Sequence, residues 1–188
     1  EVARAMDVRV LARPSDLASD TATVDAAARH AVEHLALGTM KPQTPIVILY
    51  GNVPVRPAGL IDRAVEMMQR TGADSVQSYA PVGKYHPWWT ARVDAAGGQV
   101  RPWEGDVLNH NTFRRQDLPP AYIPDGGVLV VTVRALFLNV PGVTPGPHAF
   151  FGQDRRGILN REGAVVDIDS RLDLLVADAI LKEQHQPA

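Results

Sequence analysis

The stretch Pro45-Ile-Val-Ile-Leu-Tyr50 is apolar along its length and does not alternate with polar residues. A strand that is buried on both faces of a parallel sheet has this pattern, because helices cover both faces of such a sheet. A strand with one face in water alternates apolar and polar side chains instead. The stretch therefore predicts a buried strand of an α/β domain.

Helices and strands alternate outward from this strand. On its N-terminal side, the pattern predicts a strand at residues 8–11 and a helix at residues 24–37 that ends at Gly38. On its C-terminal side, Pro57 suits the first turn of a second helix and Gly72 suits the end of that helix. Further strands are predicted at residues 75–80, 127–133 and 164–169.

The last predicted element is a closing helix. Ser170 and Asp173 have the spacing of a capping box at its start. Its predicted apolar face comprises Leu172, Leu175, Val176, Ala179 and Ile180. Because alternating strands and helices favour parallel pairing with right-handed crossovers, we expect an α/β fold with a mostly parallel sheet and helices on both faces.

Composition excludes several classes of protein. The 188 residues suit a single domain over residues 1–188. The net charge of -2 and the lack of a basic stripe argue against a nucleic-acid partner. No apolar run approaches the ~20 residues that cross a bilayer, and the absence of cysteine excludes disulfides and thiolate zinc sites. We expect a cytoplasmic protein without nucleic-acid or membrane partners.

Residues 84–124 lack regular patterning and contain several prolines and clustered arginine and asparagine residues. We interpret this segment as an excursion from the sheet, built from a hairpin and loops. Its tryptophans, Trp88, Trp89 and Trp103, favour a symmetric homodimer through this segment, because aromatic residues are enriched in interface cores. The alternative is that the tryptophans pack on their own domain.

Asp167 and Asp169 are two residues apart on a predicted strand, so their side chains leave the same face while Ile168 points the other way. Ligands gather at the carboxyl ends of the strands in an open α/β sheet. Mg²⁺ commonly takes one or two protein carboxylates and fills its other positions with phosphate and water. The pair therefore suggests a Mg²⁺ site. The alternative is that Asp169 only begins the closing helix and Asp167 is solvated.

Other side chains allow two interpretations each. The arginines of Arg114-Arg-Gln-Asp117 match a carboxylate geometrically and suit an anionic substrate, or they form a solvated surface. Phe150 and Phe151 line a small apolar pocket or belong to the core. His30 and His34 have the spacing of one zinc-peptidase class. They lie beside the apolar stripe of their helix, however, so we interpret them as surface residues.

Short motifs lie in a characteristic order along nearly the whole chain. They are Leu17-Ala-Ser-Asp-Thr21, Gly72-Ala-Asp-Ser-Val76, His86-Pro87, Arg114-Arg-Gln-Asp-Leu-Pro-Pro120 with Tyr122, Phe150-Phe-Gly152, and Val166-Asp-Ile-Asp-Ser170 followed by Leu172-Asp173. This ordered set resembles the acylneuraminate cytidylyltransferase family, the enzymes that make CMP-activated acidic sugars. The arginine-rich motif and the Asp-Ile-Asp motif carry most of the resemblance.

The resemblance implies a GT-A-like, Rossmann-like nucleotidyltransferase fold. The implied reaction is attack by the anomeric hydroxyl of a 2-keto sugar acid on the α-phosphate of CTP, which releases pyrophosphate. The acidic sugar has nine carbons or is closely related. By position, Asp167 and Asp169 hold Mg²⁺, and Arg115, flanked by Arg114 and Gln116, pairs with the sugar carboxylate. Phe150 and Phe151 form a wall beside an acyl group, and residues 84–124 reach across a homodimer.

The chain departs from the family pattern at three places. The family commonly has Gln-Pro-Thr-Ser-Pro-Leu-Arg where this chain has Tyr50-Gly-Asn-Val-Pro-Val-Arg56, so only Pro54 and Arg56 persist. Tyr50 and Asn52 stand at positions where the resemblance implies contact with the sugar. Asp125 stands where an Asn-Gly motif is usual, at a position that holds nucleotide or substrate. No Gly-rich phosphate loop is present, so we expect that loop upstream of Glu1. The alternative is a catalytically inactive member that binds an acidic sugar or a partner.

Overall fold

The computed structural model describes residues 2–35 and 40–184, so the predicted helix end at Gly38 lies outside the described residues. The α-helices in this part of the chain are α1 (Val2–Ala5), α2 (Val24–His34), α3 (Leu60–Thr71), α4 (Val133–Leu136) and α5 (Arg171–Gln184). The strands are β1 (Pro45–Ile48), β2 (Ser75–Pro81), β3 (Ala91–Val93), β4 (Val100–Pro102), β5 (Tyr122–Thr132) and β6 (Arg155–Leu159). None of these helices is both long and apolar enough to span a membrane.

The main sheet has the strand order β1-β5-β2-β6. The expected α/β class is confirmed, with a mixed sheet flanked by helices. The expectation of parallel pairing is wrong for β1, which is antiparallel to β5 with Pro45 opposite Thr132 and Ile48 opposite Leu129. β1 also ends the strand order and leaves Val47 exposed. The apolar pattern of residues 45–50 correctly predicts a strand. It does not determine the direction of that strand or its position in the sheet.

Several predicted elements are confirmed close to their predicted bounds. α3 ends where Gly72 donates its N–H to Met68 O at 2.8 Å and adopts a φ of +70°. That φ lies in the left-handed region that glycine enters without steric cost. β2 occupies the predicted residues 75–80, and β3 pairs with β4 in an antiparallel hairpin inside the predicted 84–124 excursion.

Two predicted strands need correction, and one observed strand is not predicted. Residues 8–11 form no strand, and Val8 and Val10 are exposed, because no neighbouring strand pairs with them in the described residues. Residues 164–169 contain one isolated antiparallel bridge, between Val55 and Val166, in place of a full strand. The sequence does not predict β6, since the stretch Arg-Arg-Gly-Ile-Leu begins with charged residues and contains a glycine.

The chain folds into two compact units, each made of several segments. The first comprises Glu1–Ile48, Ile61–Gln77 and Leu129–Arg156, and the second comprises Leu49–Leu60, Ser78–Val128 and Gly157–Ala188. The core of the first unit is built on buried Leu129, Val131, Leu136 and Phe150. α2 and β1 pack against this core through Ala28, Val32, Ile46 and Ile48.

The core of the second unit is built on Val55, Val166 and Ala177. Ile168, Ile180 and Leu181 pack around them. α5 therefore turns Ala177, Ile180 and Leu181 inward, whereas Leu172, Leu175 and Val176 of the predicted face are exposed. A helix so rich in leucine and valine has two adjacent apolar stripes, and the sequence pattern alone does not decide which of them is buried.

Asp74 ties three parts of the first unit together from a position that is only 3% exposed. Its carboxylate accepts hydrogen bonds from Arg134 Nε at 3.0 Å, Gln153 N at 3.0 Å and Asp154 N at 3.1 Å. Its backbone oxygen accepts the N–H of Thr132 at 2.9 Å. These bonds connect the start of β2, the end of β5 and the segment before β6.

We expect Asp74→Ala to lower the free energy of unfolding by about 3 kcal/mol, because it leaves two backbone N–H groups and a guanidinium without their acceptor. Urea unfolding followed by circular dichroism measures the change. Asp154→Ala is the matched control, since its carboxylate pairs with Arg156 at the surface, and it should change stability by less than about 0.5 kcal/mol. Equal losses in both variants would contradict the anchoring role of Asp74.

Candidate active site

The loop of residues 50–56 is held at both ends by one arginine. Arg56 donates from Nη2 to Tyr50 O and from Nε to Gly127 O, both at 2.8 Å. Burial lowers the pKa of the Arg56 guanidinium from its ordinary value. Arg56 is one of the residues this chain shares with the family motif, and its two backbone bonds give it a structural role in shaping the loop.

The same loop holds the segment that carries Asp167 and Asp169. Val166 N donates to Val55 O at 3.3 Å, and Ile168 N donates to Asn52 O at 2.8 Å. Val166 and Ile168 pack in the core of the second unit, whereas Asp167 and Asp169 are exposed. The two carboxylates therefore leave the same face of the segment, as their spacing predicts.

The side chain of Asn52 joins the two carboxylates. Its Nδ2 lies 2.5 Å from Asp167 Oδ1 and 3.4 Å from Asp169 Oδ1. The family motif predicts that Asn52 contacts a sugar. In the structure, Asn52 contacts the acidic pair through both its side chain and its backbone. Nothing in the sequence links Asn52 to Asp167, because the two residues are 115 positions apart.

Negative charge is concentrated around Asp167. Partial desolvation raises the pKa of the largely exposed Asp167 carboxyl, and the charges of Asp169 and Asp173 raise it further, against the lowering effect of the Asn52 hydrogen bond. The pKa of Tyr50 is raised by burial and then by the charge of Asp167. Such crowding of like charges costs free energy unless a cation offsets it, and functional sites commonly contain such groups.

The donor set fits a hard divalent cation. Two exposed carboxylates are the number that Mg²⁺ commonly takes from a protein, with phosphate and water filling its other positions. Among the described residues, no group of three or more His, Cys, Asp or Glu side chains could hold a metal ion. A cation at this pair would therefore need further ligands from the substrate or from water.

Asp173 caps the N-terminus of α5 together with Ser170. Its Oδ2 accepts hydrogen bonds from Ser170 N and Ser170 Oγ, both at 2.7 Å, and Asp173 N lies 3.4 Å from Ser170 Oγ. The predicted capping box is therefore confirmed. These hydrogen bonds from Ser170 lower the pKa of Asp173. Its carboxylate is committed to the helix, although its charge still acts on Asp167.

Asp125 lies at the centre of a polar network in β5. Its Oδ1 accepts bonds from Ser78 Oγ at 2.5 Å and Gly127 N at 3.0 Å, and its Oδ2 accepts one from Asn160 Nδ2 at 2.7 Å. A Cβ on Gly127 would lie 2.9 Å from side-chain carbons of Leu60 and Val165, so the strand requires glycine there. Both oxygens of Asp125 thus have protein partners, and contact with a ligand stays a prediction.

The arginine-rich motif forms a short 3₁₀ helix over Arg115–Asp117. Arg114 pairs with Asp117 at the surface, with Nε 2.8 Å from Oδ2, and Gln116 is exposed. Arg115 lines a cavity of about 210 Å³ and pairs with Glu162, with Nη2 2.5 Å from Oε2. No sequence pattern identifies Glu162, because the pairing links residues 47 positions apart.

His86, which also lines this cavity, has a structural role that the sequence does not reveal. It is 4% exposed, its Nδ1 accepts the N–H of Trp88 at 3.1 Å, and its Nε2 lies 3.0 Å from Pro119 O. Because a carbonyl oxygen can only accept, Nε2 carries the proton and the ring is the neutral tautomer. His86 thereby ties the Pro87–Trp89 turn to the segment that follows Arg115.

Phe150 and Phe151 belong to the first unit, whereas Asp167 and Asp169 belong to the second. Phe150 is buried in the core of that unit, as the core interpretation predicts, and Phe151 packs partly buried beside it with ring centroids 4.5 Å apart. Arg155 lies over the Phe151 ring at 5.4 Å. A role as a wall beside an acyl group stays a prediction.

Comparison with known proteins supports the fold. No protein-family model matches the chain. The solved structure of a protein assigned as a glucose-1-phosphate thymidylyltransferase from Bacillus anthracis, in complex with a sucrose, is similar to it, with a TM-score of 0.50 and 11% sequence identity. The match covers 90% of this chain and 65% of that chain. At this identity the likeness shows a nucleotidyltransferase-like, GT-A-like fold, and it does not show the acylneuraminate family.

Asp169→Asn should lower the pKa of Asp167, because it removes the charge of Asp169. That charge raises the pKa of Asp167 more than the charge of Asp173 does, and the effect of desolvation remains. The raised pKa means that the folded protein binds the Asp167 proton more tightly than the unfolded chain does. Ionised Asp167 therefore costs stability above its folded pKa, and the cost disappears below the unfolded pKa. Asp169→Asn should raise stability at neutral pH, and this gain should fade in acid.

NMR titration of the side-chain carboxyl carbons measures the pKa, and urea unfolding at several pH values measures the stability. Asp178→Asn is the control, because it removes one carboxylate of the same unit that pairs with Lys182 at the surface. An unchanged pKa of Asp167 in Asp169→Asn would show that the two carboxylates do not interact.

Proposed function

We propose that this protein is a nucleotidyltransferase that transfers CMP from CTP to the anomeric hydroxyl of an acidic 2-keto sugar, with release of pyrophosphate. The observation that carries the proposal is the exposed pair Asp167 and Asp169, joined by the Asn52 amide and crowded with negative charge. The nucleotidyltransferase-like fold and the ordered motifs of the sequence support it.

In this proposal, Asp167 and Asp169 hold a Mg²⁺ ion, and Asn52 keeps their carboxylates together. When bound, the ion neutralises phosphate charge as the α-phosphorus is attacked and pyrophosphate leaves. The chain's own contribution is to fix the positions of the reacting groups. The bonds from residues 52–55 to residues 166–168 support this role, because they hold the acidic segment on a rigid core.

Arg115 is the residue we propose for the sugar carboxylate. Its planar guanidinium can hold a carboxylate with two parallel hydrogen bonds, and it lines a cavity. Arg114 and Gln116 beside it, and Tyr50 near Asp167, are proposed contacts for substrate. Asp125 is proposed to act through the β5 backbone that it holds, and Phe150 and Phe151 are proposed to flank an acyl group.

The second candidate function is a catalytically inactive module that binds an acidic sugar or a partner. The position of Arg115 on the wall of a cavity favours it, since a guanidinium can hold a carboxylate without any nucleotide. This module would bind a sugar acid through Arg115 and would release no pyrophosphate.

The full-length protein should release pyrophosphate only when CTP, Mg²⁺ and a 2-keto sugar acid such as N-acetylneuraminate are all present. Asp169→Asn should reduce the rate about 10- to 100-fold, because it removes ligand charge with little change of shape. Asp178→Asn should keep the wild-type rate. A coupled pyrophosphate assay measures these rates.

Equal turnover in the presence of a chelator would contradict the metal role, and equal turnover of ATP or UTP would contradict the choice of CTP. Binding of N-acetylneuraminate without pyrophosphate release, under all conditions, would favour the binding module. An octulosonic acid that reacts faster than N-acetylneuraminate would identify the substrate as a sister sugar.

We also propose a symmetric homodimer through residues 84–124. Trp88 stacks on His110 with ring centroids 4.6 Å apart, and Trp89 donates from Nε1 to Thr112 O at 3.0 Å, so these tryptophans pack within their own unit. Trp103 and Phe113 remain 55% and 86% exposed. Large exposed aromatic side chains in one segment support an interface with a second copy of the chain.

The protein should sediment as a dimer at micromolar concentration, and the double variant Trp103→Ser, Phe113→Ser should sediment as a folded monomer. The matched control is Leu172→Ser, Leu175→Ser, which replaces exposed apolar residues on α5 and should leave the dimer intact. Analytical ultracentrifugation distinguishes these outcomes. A monomeric wild-type protein would exclude the homodimer.

A further inference from the structure

The guanidinium of Arg115, which we propose binds the substrate carboxylate, already forms an ion pair with Glu162. Arg115 Nη2 lies 2.5 Å from Glu162 Oε2, and the two side chains are 54% and 58% exposed. Ion pairs with this much solvent contact contribute little to stability, because water screens both charges. A ligand can therefore break this pair at small cost.

The turn that carries Glu162 has a fixed base. Ala164 N donates to Arg161 O at 3.1 Å, which closes a turn with Glu162 and Gly163 at its centre, and Gly163 has a φ of +74°. Just before the turn, Asn160 N donates to Tyr79 O at 2.8 Å, and the Asn160 side chain bonds to Asp125. The backbone thus holds Glu162 in place, and its half-exposed side chain can leave Arg115 without a change in the turn.

The ion pair packs directly against the backbone of Gly83. A Cβ at this glycine would lie 2.7 Å from Glu162 Oε1 and 3.0 Å from Arg115 Nη2. Gly83 and Arg115 both line the 210 Å³ cavity, together with His86 and Pro119. The Glu162 carboxylate therefore lies against the backbone of a residue of the cavity wall, beside space that can take more than a carboxylate group.

We infer that Glu162 is an internal stand-in for the substrate carboxylate: it pairs with Arg115 in the free protein and is displaced when an acidic ligand binds. This inference rests on the proposed role of Arg115. The exchange replaces one carboxylate by another, so the charge on Arg115 is paired before and after binding. A neutral sugar offers no replacement for Glu162, and the displacement therefore makes the site selective for anionic ligands.

Calorimetry without nucleotide tests the exchange with two probes. N-acetylneuraminate is the proposed substrate, and pyruvate carries only the shared 2-keto carboxylate. Glu162→Gln should tighten binding of both probes about threefold, because no internal charge competes for Arg115. Arg115→Lys should weaken both, since lysine lacks the planar fork. N-acetylmannosamine, which is neutral, should gain nothing from Glu162→Gln.

Asp154→Asn is the matched control, because it breaks an exposed arginine–carboxylate pair of the same kind with Arg156 and should leave binding unchanged. Unchanged or weaker binding of pyruvate and N-acetylneuraminate to Glu162→Gln would overturn the inference, as would the failure of every variant to bind either probe. If pyruvate alone binds and is bound more tightly by Glu162→Gln, the exchange holds and the sugar substrate is wrong. If the wild-type protein releases pyrophosphate but Glu162→Gln does not change the affinity for either probe, the proposed function holds and the exchange is wrong.

Discussion

The buried carboxylate of Asp74 fixes the geometry of the first unit. It draws a guanidinium and two backbone N–H groups into a site from which water is excluded, so the segments that carry those groups cannot move apart independently. Gly152 is a consequence of this packing, because a Cβ there would lie 2.3 Å from Cβ of Asp74. The Gly72-Ala-Asp and Phe-Phe-Gly motifs, far apart in the sequence, are thus two halves of one contact.

Asp125 likewise connects several segments of the second unit. Comparing the hydrogen bonds of Asp74 and Asp125 with those of Asp167 and Asp169 distinguishes structural carboxylates from candidate functional ones. Asp74 and Asp125 have protein donors on both carboxylate oxygens. Within the described part of the chain, Asp167 and Asp169 share one side-chain amide donor, that of Asn52, and their like charges repel each other. The oxygens of the first two carboxylates accept hydrogen bonds from the fold on both sides, whereas the second two repel each other with little compensation from protein donors. A cation is the simplest partner for their negative charge.

Local patterns in the sequence predict the elements that local forces determine. The apolar stripe before Gly72 predicts α3, and Ser170 with Asp173 predicts the start of α5. The pairing of Asp167 with Asp169 also follows from their spacing. Predictions that depend on distant partners are less successful. Residues 8–11 have strand propensity but no neighbouring strand among the described residues, and the pairs Asn52–Asp167 and Arg115–Glu162 join residues that no short pattern connects. Tertiary contact decides each of these.

The hydrogen bonds between residues 52–55 and residues 166–168 also determine when the acidic pair forms during folding. They close a loop of more than a hundred residues, and the entropy of closing it opposes early contact. The core of the second unit contains Val55 and Val166, so we expect this core and the contact between Asn52 and Asp167 to form in the same step. Electrostatic repulsion between Asp167 and Asp169 therefore opposes the step that completes this core. The contact thus links the stability of the second unit to the charge of its acidic pair.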